Sequence, residues 1–389
     1  MSANEQRLSR ASAPQPKTPT GFRRGYRPTP SQRQLLLVAL SDPDRAAEAW
    51  RAGREGFSLD ELEHGSFELM PLMYRNLAQT CPDEPLLPRL KGIYRRSWVT
   101  NNLLLGTTSE IASTLQAAGL PALFLEGPTH AARFYGDLAL RPSSAVHVLT
   151  NPADAAEASK RLESRGWDLR PGSDDYPGWR VLFAANGDIC VLRSSLSFDY
   201  VGRDDVPAEE PLWHAAEAFD VNAADVFVLM PSDALFAACV AGARYGPLPP
   251  TQWLTDAVMI LRSGELEWDR LVNLAVEHRQ HLRLREALGC LLDLPVPVPQ
   301  RVADAYAWLA QRQPTRRERV AFALSTGTLA RRGGLADALA ELLATTTGES
   351  LARTATRLPG HLCARWGVTH RWQLPVAAGR RLLSAARKA

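Results

Sequence analysis

Apolar side chains recur at three- and four-residue spacing along most of the chain, which places them on one face of an α-helix. The run SQRQLLLVALSDPDRAAEAWRAG shows this from Ser31, a residue suited to capping a helix N-terminus. SLDELEHGSFELMPLMYRNLAQ and LLPRLKGIYRRSWVTNNLLLGTTSEIASTLQAAG continue it as far as Gly119, a helix-ending glycine. The period then changes. LPALFLEG is a short apolar run closed by Gly127, PTHAARFYG returns to helical spacing, and AVHVLT reads as a strand. PADAAEASKRLESRGW is an amphipathic helix, followed by the strand candidates WRVLFAA and DICVLRSSLSF. That order predicts a small mixed sheet with helices on one face. From about Ala208 onward everything again reads helical, through DALFAACVAGARYG and PTQWLTDAVMILRSG to LADALAELLATT.

The fold class expected is therefore α+β and mostly helical, with one small mixed-sheet core between helical regions. A basic, disordered tail is expected over residues 1–30, a helical subdomain over 31–119, the α/β core over 120–207, a helical domain over 208–312 and a basic helical region over 313–389. With 389 residues, the chain is long enough for more than one packed unit.

Composition narrows the function classes. No stretch approaches the ~20 apolar residues of a membrane span, and the N-terminal residues lack the apolar segment of a secretory signal, so a cytoplasmic location is expected. Cys81, Cys190, Cys239, Cys290 and Cys363 are widely separated with no C-x-x-C spacing, which points to neither a disulfide framework nor a zinc site. The formal net charge of +3 is unevenly spread. Residues 1–33 carry +6 and residues 351–389 carry +8, leaving −11 for residues 34–350. The terminal run LPVAAGRRLLSAARKA can form a helix with Val376, Leu382 and Leu383 on one side and Arg380, Arg381, Arg387 and Lys388 on the other. Such basic ends suit an anionic surface, and the acidic body of the same chain is the nearest candidate.

Several separated words carry a more specific signal: Leu125-Glu126-Gly127, Tyr135 in the following helix, Arg141-Pro142 then Ala145-Val146-His147, Cys190 to Arg193, Ala241-Gly242-Ala243-Arg244, and Trp253-Leu254-Thr255-Asp256-Ala257. In this order they resemble the uncharacterised nucleotidyltransferase family, a branch of the polymerase-β-like superfamily, over roughly Pro28 to Leu324. The resemblance implies a nucleotidyltransferase-like core, with Glu126, Gly127 and Arg141 on the nucleotide side. In such enzymes two carboxylates two apart on one strand share a face, and a third joins them from a neighbouring strand. Together they hold divalent metals that neutralise the leaving pyrophosphate. Here those positions correspond to Ala145, His147 and Cys190, with Asp188 as a possible remnant, and Glu126 stands where the family has lysine. The resemblance places Ala145, His147 and either Cys190 or Asp188 side by side at one end of the sheet, near Gly127. Magnesium prefers hard oxygen ligands, so the chain is expected to bind no catalytic metal.

Each singled-out residue also has a structural reading. Gly127 marks a tight turn. Arg141 suits a carbonyl cap or a pair with Asp137. His147 with Cys190 makes two soft ligands without a third. Trp253 and Asp256, one helical turn apart, are expected to fix the helical part onto the core. His278 and His281 read as a solvated helix face. The function expected is a catalytically degenerate nucleotidyltransferase-like protein, acting as accessory or scaffold in a bacterial-type biosynthetic pathway beside an active paralogue or another protein partner. Two alternatives stand beside it. One is a magnesium-dependent enzyme moving NMP from NTP to a small molecule or protein; the other is a module that binds nucleic acid or an anionic membrane.

Overall fold

The computed structural model describes residues 26–62, 64–170, 179–194, 196, 210–243, 251–264, 266–326, 335, 339, 342–343, 351–366 and 368–379. Helices α1 (Pro30–Leu40), α2 (Pro43–Gly53) and α3 (Met70–Thr80) come first, then the long α4 (Leu87–Ala117). The cap of α1 is Thr29, not Ser31. Its hydroxyl accepts from the Gln32 amide while the Gln32 side chain accepts from the Thr29 amide, with Pro30 opening the helix. Of the tail expected over residues 1–30, residues 1–25 lie outside the described residues. Tyr26 is fully buried and its hydroxyl donates to Glu286 at 2.8 Å.

The sheet is built from β1 (Leu123–Phe124), β2 (Val146–Leu149), β3 (Trp167–Leu169), β4 (Trp179–Ala184), β5 (Ile189–Arg193), β6 (Glu217–Val221) and β7 (Ala224–Val228). Its spatial order is β3-β4-β5-β2-β1-β7-β6, with β2/β5 and β1/β7 parallel and the other neighbours antiparallel. The expected return to helix from Ala208 is thus incorrect at β6 and β7. Each strand has only five residues, and the outer face mixes Ala218, Asp220 and Asp225 with an exposed Phe227, so no clean alternation of polar and apolar positions marks them. The two-residue connection Asn222-Ala223 has φ of 52° and 62°. Both residues are left-handed, the turn that matches strand twist in a tight hairpin.

One sheet face packs against the C-terminal half of α4 and against α6 (Ala155–Glu163). Phe124, Val146, Val148, Cys190, Leu192 and Val228 point there and meet Leu104, Ile111, Leu115 and Leu162. The opposite face looks toward α5 (Pro128–Phe134). The helices that follow the sheet in sequence are α7 (Glu210–His214), α8 (Pro231–Gly242), α9 (Gln252–Ser263), α10 (Trp268–Glu277), α11 (His281–Leu292), α12 (Gln300–Ala310), α13 (Arg316–Thr326) and α14 (Leu351–Trp366). Helices on the two sides of the sheet in sequence share one core: Leu36, Trp50, Met70 and Leu77 are clustered with Phe236, Leu254, Leu288 and Leu309.

His278 and His281 do not share a solvated face. Arg279 has φ of 53° and ends α10, so the two histidines belong to different helices. His281 is buried, with Nδ1 at 2.6 Å from Glu318 on α13, and burial holds the His278 imidazole down to about 4. At the carboxy end, Leu362 and Trp366 form a small cluster with Leu374, Ala377 and Ala378, while Val376 is exposed. Arg244, Arg380, Arg381, Leu382, Leu383, Arg387 and Lys388 lie outside the described residues, as does almost all of the helix expected over LADALAELLATT.

The contact between α8 and α9 depends on Gly242. A Cβ there would sit 2.1 Å from Trp253 Cγ, inside a buried ring that cannot move aside freely. Gly242→Ala is expected to destabilise the fold by about 1–3 kcal/mol through overpacking, and denaturant unfolding should show a lower midpoint with an unchanged slope. A midpoint at or above that of the unsubstituted chain would contradict this account of the glycine.

Candidate functional site

The site lies on the sheet face turned away from α4 and α6. Strand side chains alternate, so register decides which residues share that face. In the parallel β2/β5 pair, His147 stands opposite Val191 and Leu149 opposite Arg193. Val146 stands opposite Cys190, and both belong to the core on the other face. Ala145, two residues before His147, shares its parity. Gly127 closes over this end of β2: its φ is 83°, and a Cβ would come within 2.8 Å of the Ala145 carbonyl oxygen. Glycine is required there by the backbone alone.

The expected row is therefore only partly assembled. Ala145, His147 and Gly127 come together, but Cys190 and Asp188 do not join them. Cys190 is fully buried on the α4 side, where burial pushes its thiol well up. Asp188 is two residues away with the same parity, and it accepts hydrogen bonds from the Thr107 hydroxyl of α4 and from the Asn186 amide. A soft-metal pair of His147 and Cys190 is excluded because the side chains sit on opposite faces. The residue that faces His147 across β5 is Val191.

The same face also carries Arg193, which the sequence words alone left without a role. Its Nη2 donates to Glu126 Oε1 and to His147 Nδ1, and its guanidinium lies 4.2 Å from the centre of the Trp179 ring on β4, directly across the antiparallel pair. Burial alone would raise the Glu126 carboxyl; the Arg193 charge above all, with Arg141 behind it, outweighs burial and holds it at about 2. Burial, with the Arg193 charge beside it, pushes His147 down to about 3, so the imidazole is neutral and its Nδ1 is free to accept. The anion that Glu126 introduces is thus answered by a cation of the same chain.

Arg141 is not a free phosphate ligand. Its Nε and Nη2 donate to the two carboxylate oxygens of Asp256 on α9, both at 2.7 Å, a bidentate pair in which both side chains are 4% exposed. Asp137, the partner considered from sequence, instead caps its own turn and accepts from Tyr94. Tyr135 donates to Asp256 at 2.7 Å, the Gln252 side-chain amide donates to it at 3.2 Å, and His130 Nδ1 stands 3.8 Å away. Burial would push the Asp256 carboxyl up, but Arg141 and then His130 hold it far below the ordinary range. Trp253 and Asp256 thus fix α9 by two different contacts, Trp253 against Gly242 and Asp256 against Arg141. Glu68 sits near the pair with one buried carboxylate oxygen that has no partner among the described residues, and burial, countered in part by Arg141, raises it to about 7.

A divalent metal does not fit this donor set. The two β2 positions offer a methyl group and an imidazole already engaged by Arg193, β5 offers Val191, and the one carboxylate, Glu126, is bound to a fixed guanidinium. A second cation placed there would meet Arg193 at short range. Among the described residues no group of three or more His, Cys, Asp and Glu is arranged to hold a metal ion.

Comparison with known proteins gives three findings. The profile of a family described as uncharacterised nucleotidyltransferase matches residues 67–294. No curated protein matches the chain. Among solved structures, the crystal structure of an antigenic nucleotidyltransferase-like protein from Paracoccidioides brasiliensis is similar, with 14% identity and a TM-score of 0.32 over 50% of this chain and 93% of that one.

Two measurements check the electrostatics. Arg193→Met should raise the His147 pKa from about 3, since it removes the nearest cation and leaves Glu126 opposed only by burial and by the more distant Arg141 and His130; an imidazole NMR titration unchanged by the substitution would refute the contact. Asp256→Asn leaves Arg141 buried without its counter-charge, and should cost about 3–5 kcal/mol at neutral pH. Because the folded-state pKa of Asp256 is depressed, its contribution is complete above the unfolded value of ~3.9 and is lost as pH falls below it. The stability gap between the two proteins should therefore narrow only in that acid range.

Proposed function

Because the chain belongs to the uncharacterised nucleotidyltransferase family, we propose that it keeps the scaffold of that family without metal-assisted nucleotidyl transfer, and acts as an accessory or scaffold protein beside an active enzyme of the same pathway. The observation that carries this reading is the Glu126–Arg193–His147 cluster on the face where such enzymes gather carboxylates. Transfer of a nucleotidyl group needs charge neutralisation at the leaving pyrophosphate, to which bound metals contribute several kcal/mol. Arg193 is a poor replacement, since its charge is already engaged by Glu126 and its guanidinium face by the Trp179 ring. The words that persist, Gly127, Tyr135, Arg141, Gly242, Trp253 and Asp256, all serve packing and ion pairing. This pattern favours a chain selected for shape. No helix among the described residues is long and apolar enough to cross a membrane, which is compatible with the cytoplasmic setting we assign to it.

The test is direct. Purified full-length chain, incubated with magnesium or manganese and each of the four ribonucleoside triphosphates, should release no pyrophosphate and label neither itself nor small acceptors. Release that EDTA abolishes would establish the enzyme alternative instead. A gain-of-binding variant supplies the positive arm. Ala145→Asp, His147→Asp, Val191→Asp and Arg193→Ala together should produce magnesium binding measurable by calorimetry, whereas the same set with Cys190→Asp in place of Val191→Asp should not, because that carboxylate would point into the α4 side. Equal binding by both sets would remove the geometric basis of the proposal.

A further inference from the structure

Next to the sheet face, but separate from it, lies a cleft of about 780 Å³. Small-molecule sites typically span ~300–1,000 Å³. Glu126, His147 and Arg193 do not line it. Its walls come from the N-terminal half of α4, from the turn His64–Leu69, and from Pro142–Ser144, the segment that leads into β2. Three features of the wall are otherwise unexplained.

The first is apolar. Phe67 is 45% exposed and, with Ile93 and Leu59, gives the cleft a hydrophobic floor. The second is cationic. Arg89 is held by Asp60 at 2.7 Å, but Arg96, two turns further along the same face of α4, is exposed and makes no ion pair among the described residues. The third is a hydroxyl. Ser97 lines the cleft, is only 6% exposed, and its Oγ is buried with no hydrogen-bond partner among the described residues. Buried hydroxyls in folded proteins are almost always paired, with protein or with water, so an orphan in a cleft wall has hydrogen-bonding capacity to offer a group from outside the chain.

We propose that this cleft binds a small organic anion: an aromatic or aliphatic body against Phe67 and Ile93, with one acidic head group, a carboxylate or a phosphate monoester, received by the Arg96 guanidinium and the Ser97 hydroxyl. A guanidinium and a hydroxyl beside an apolar floor select for that combination. A neutral ligand leaves the cation unanswered, and a bare inorganic anion leaves the floor uncovered. The inference does not rest on the reading of lost transfer, since none of the residues it uses belongs to the sheet face.

The experiment uses the full chain and anilinonaphthalene sulfonate, an aromatic monoanion whose fluorescence rises on binding. A single saturable site is expected. Arg96→Glu, at an exposed position, should weaken binding by roughly tenfold or more, the loss of about one charge-assisted contact plus repulsion. Thr100→Trp, which fills the cleft, should abolish it, and both variants should melt as the unsubstituted protein does. Phenyl phosphate and phenylpropionate should displace the probe, the stronger of the two identifying the head group, while phenylpropanol should compete roughly tenfold less well. The proposal is overturned if the full chain shows no saturable binding, if the alcohol displaces the probe as well as the acids do, or if Arg96→Glu binds as the unsubstituted chain does. The last outcome decides the matter even if Thr100→Trp fails to fold.

Discussion

The bidentate pair between Arg141 and Asp256 is the contact on which the rest of the molecule depends. It joins the segment just before β2 to a helix more than a hundred residues later, and it does so in a place almost closed to water. Burying either charge alone is expensive, so the pair forms only if sheet and helical layer arrive together and in register. Everything near it follows from that requirement. Tyr135 and Gln252 spend their donors on Asp256, Gly242 gives Trp253 room to bring α9 close, and Gly127 lets the chain turn tightly over Ala145. A ring of buried contacts thus fixes the frame around the sheet face that carries Glu126, His147 and Arg193.

That face has a definite physical form: it carries a guanidinium stacked on tryptophan, one carboxylate and a neutral imidazole. The cluster is internally balanced. Glu126 and Arg193 answer each other, and His147 accepts without carrying charge of its own. Such an arrangement is stable without any external ion, and this separates it from a carboxylate cluster, whose mutual repulsion makes it dependent on a bound cation.

Much of this was legible in the sequence, and what was not has particular causes. Helical spacing gave the long helices and the change of period gave the first strands, because those segments are long or strongly patterned. Family words gave the fold and pointed to Ala145 and His147. The assignment of the third position to Cys190 failed because a one-residue shift in pairing moves a side chain to the other face, and pairing is a tertiary fact. Arg193 was in plain view as a letter, but its role exists only once β5 is laid beside β2. The β6/β7 hairpin was missed for a different reason. Its strands are short and half polar, and the turn Asn222-Ala223 lacks the glycine that usually announces one.

The strand order also bears on how the molecule is made. β1 is central in the finished sheet, yet its parallel neighbour β7 follows about a hundred residues later in the chain, after the other strands and α7. During synthesis the edge of β1 at Leu123 and Phe124 must stay unpaired until the β6/β7 hairpin emerges and docks. An open, apolar edge of that kind is a template for pairing with other chains, and a contact of such long sequence separation is slow to form. The hairpin therefore acts as a closing piece. In the finished sheet the edge strand on that side, β6, carries Glu217 and Asp220, with Glu217 held by Arg133, so this edge is a charged one that discourages further addition.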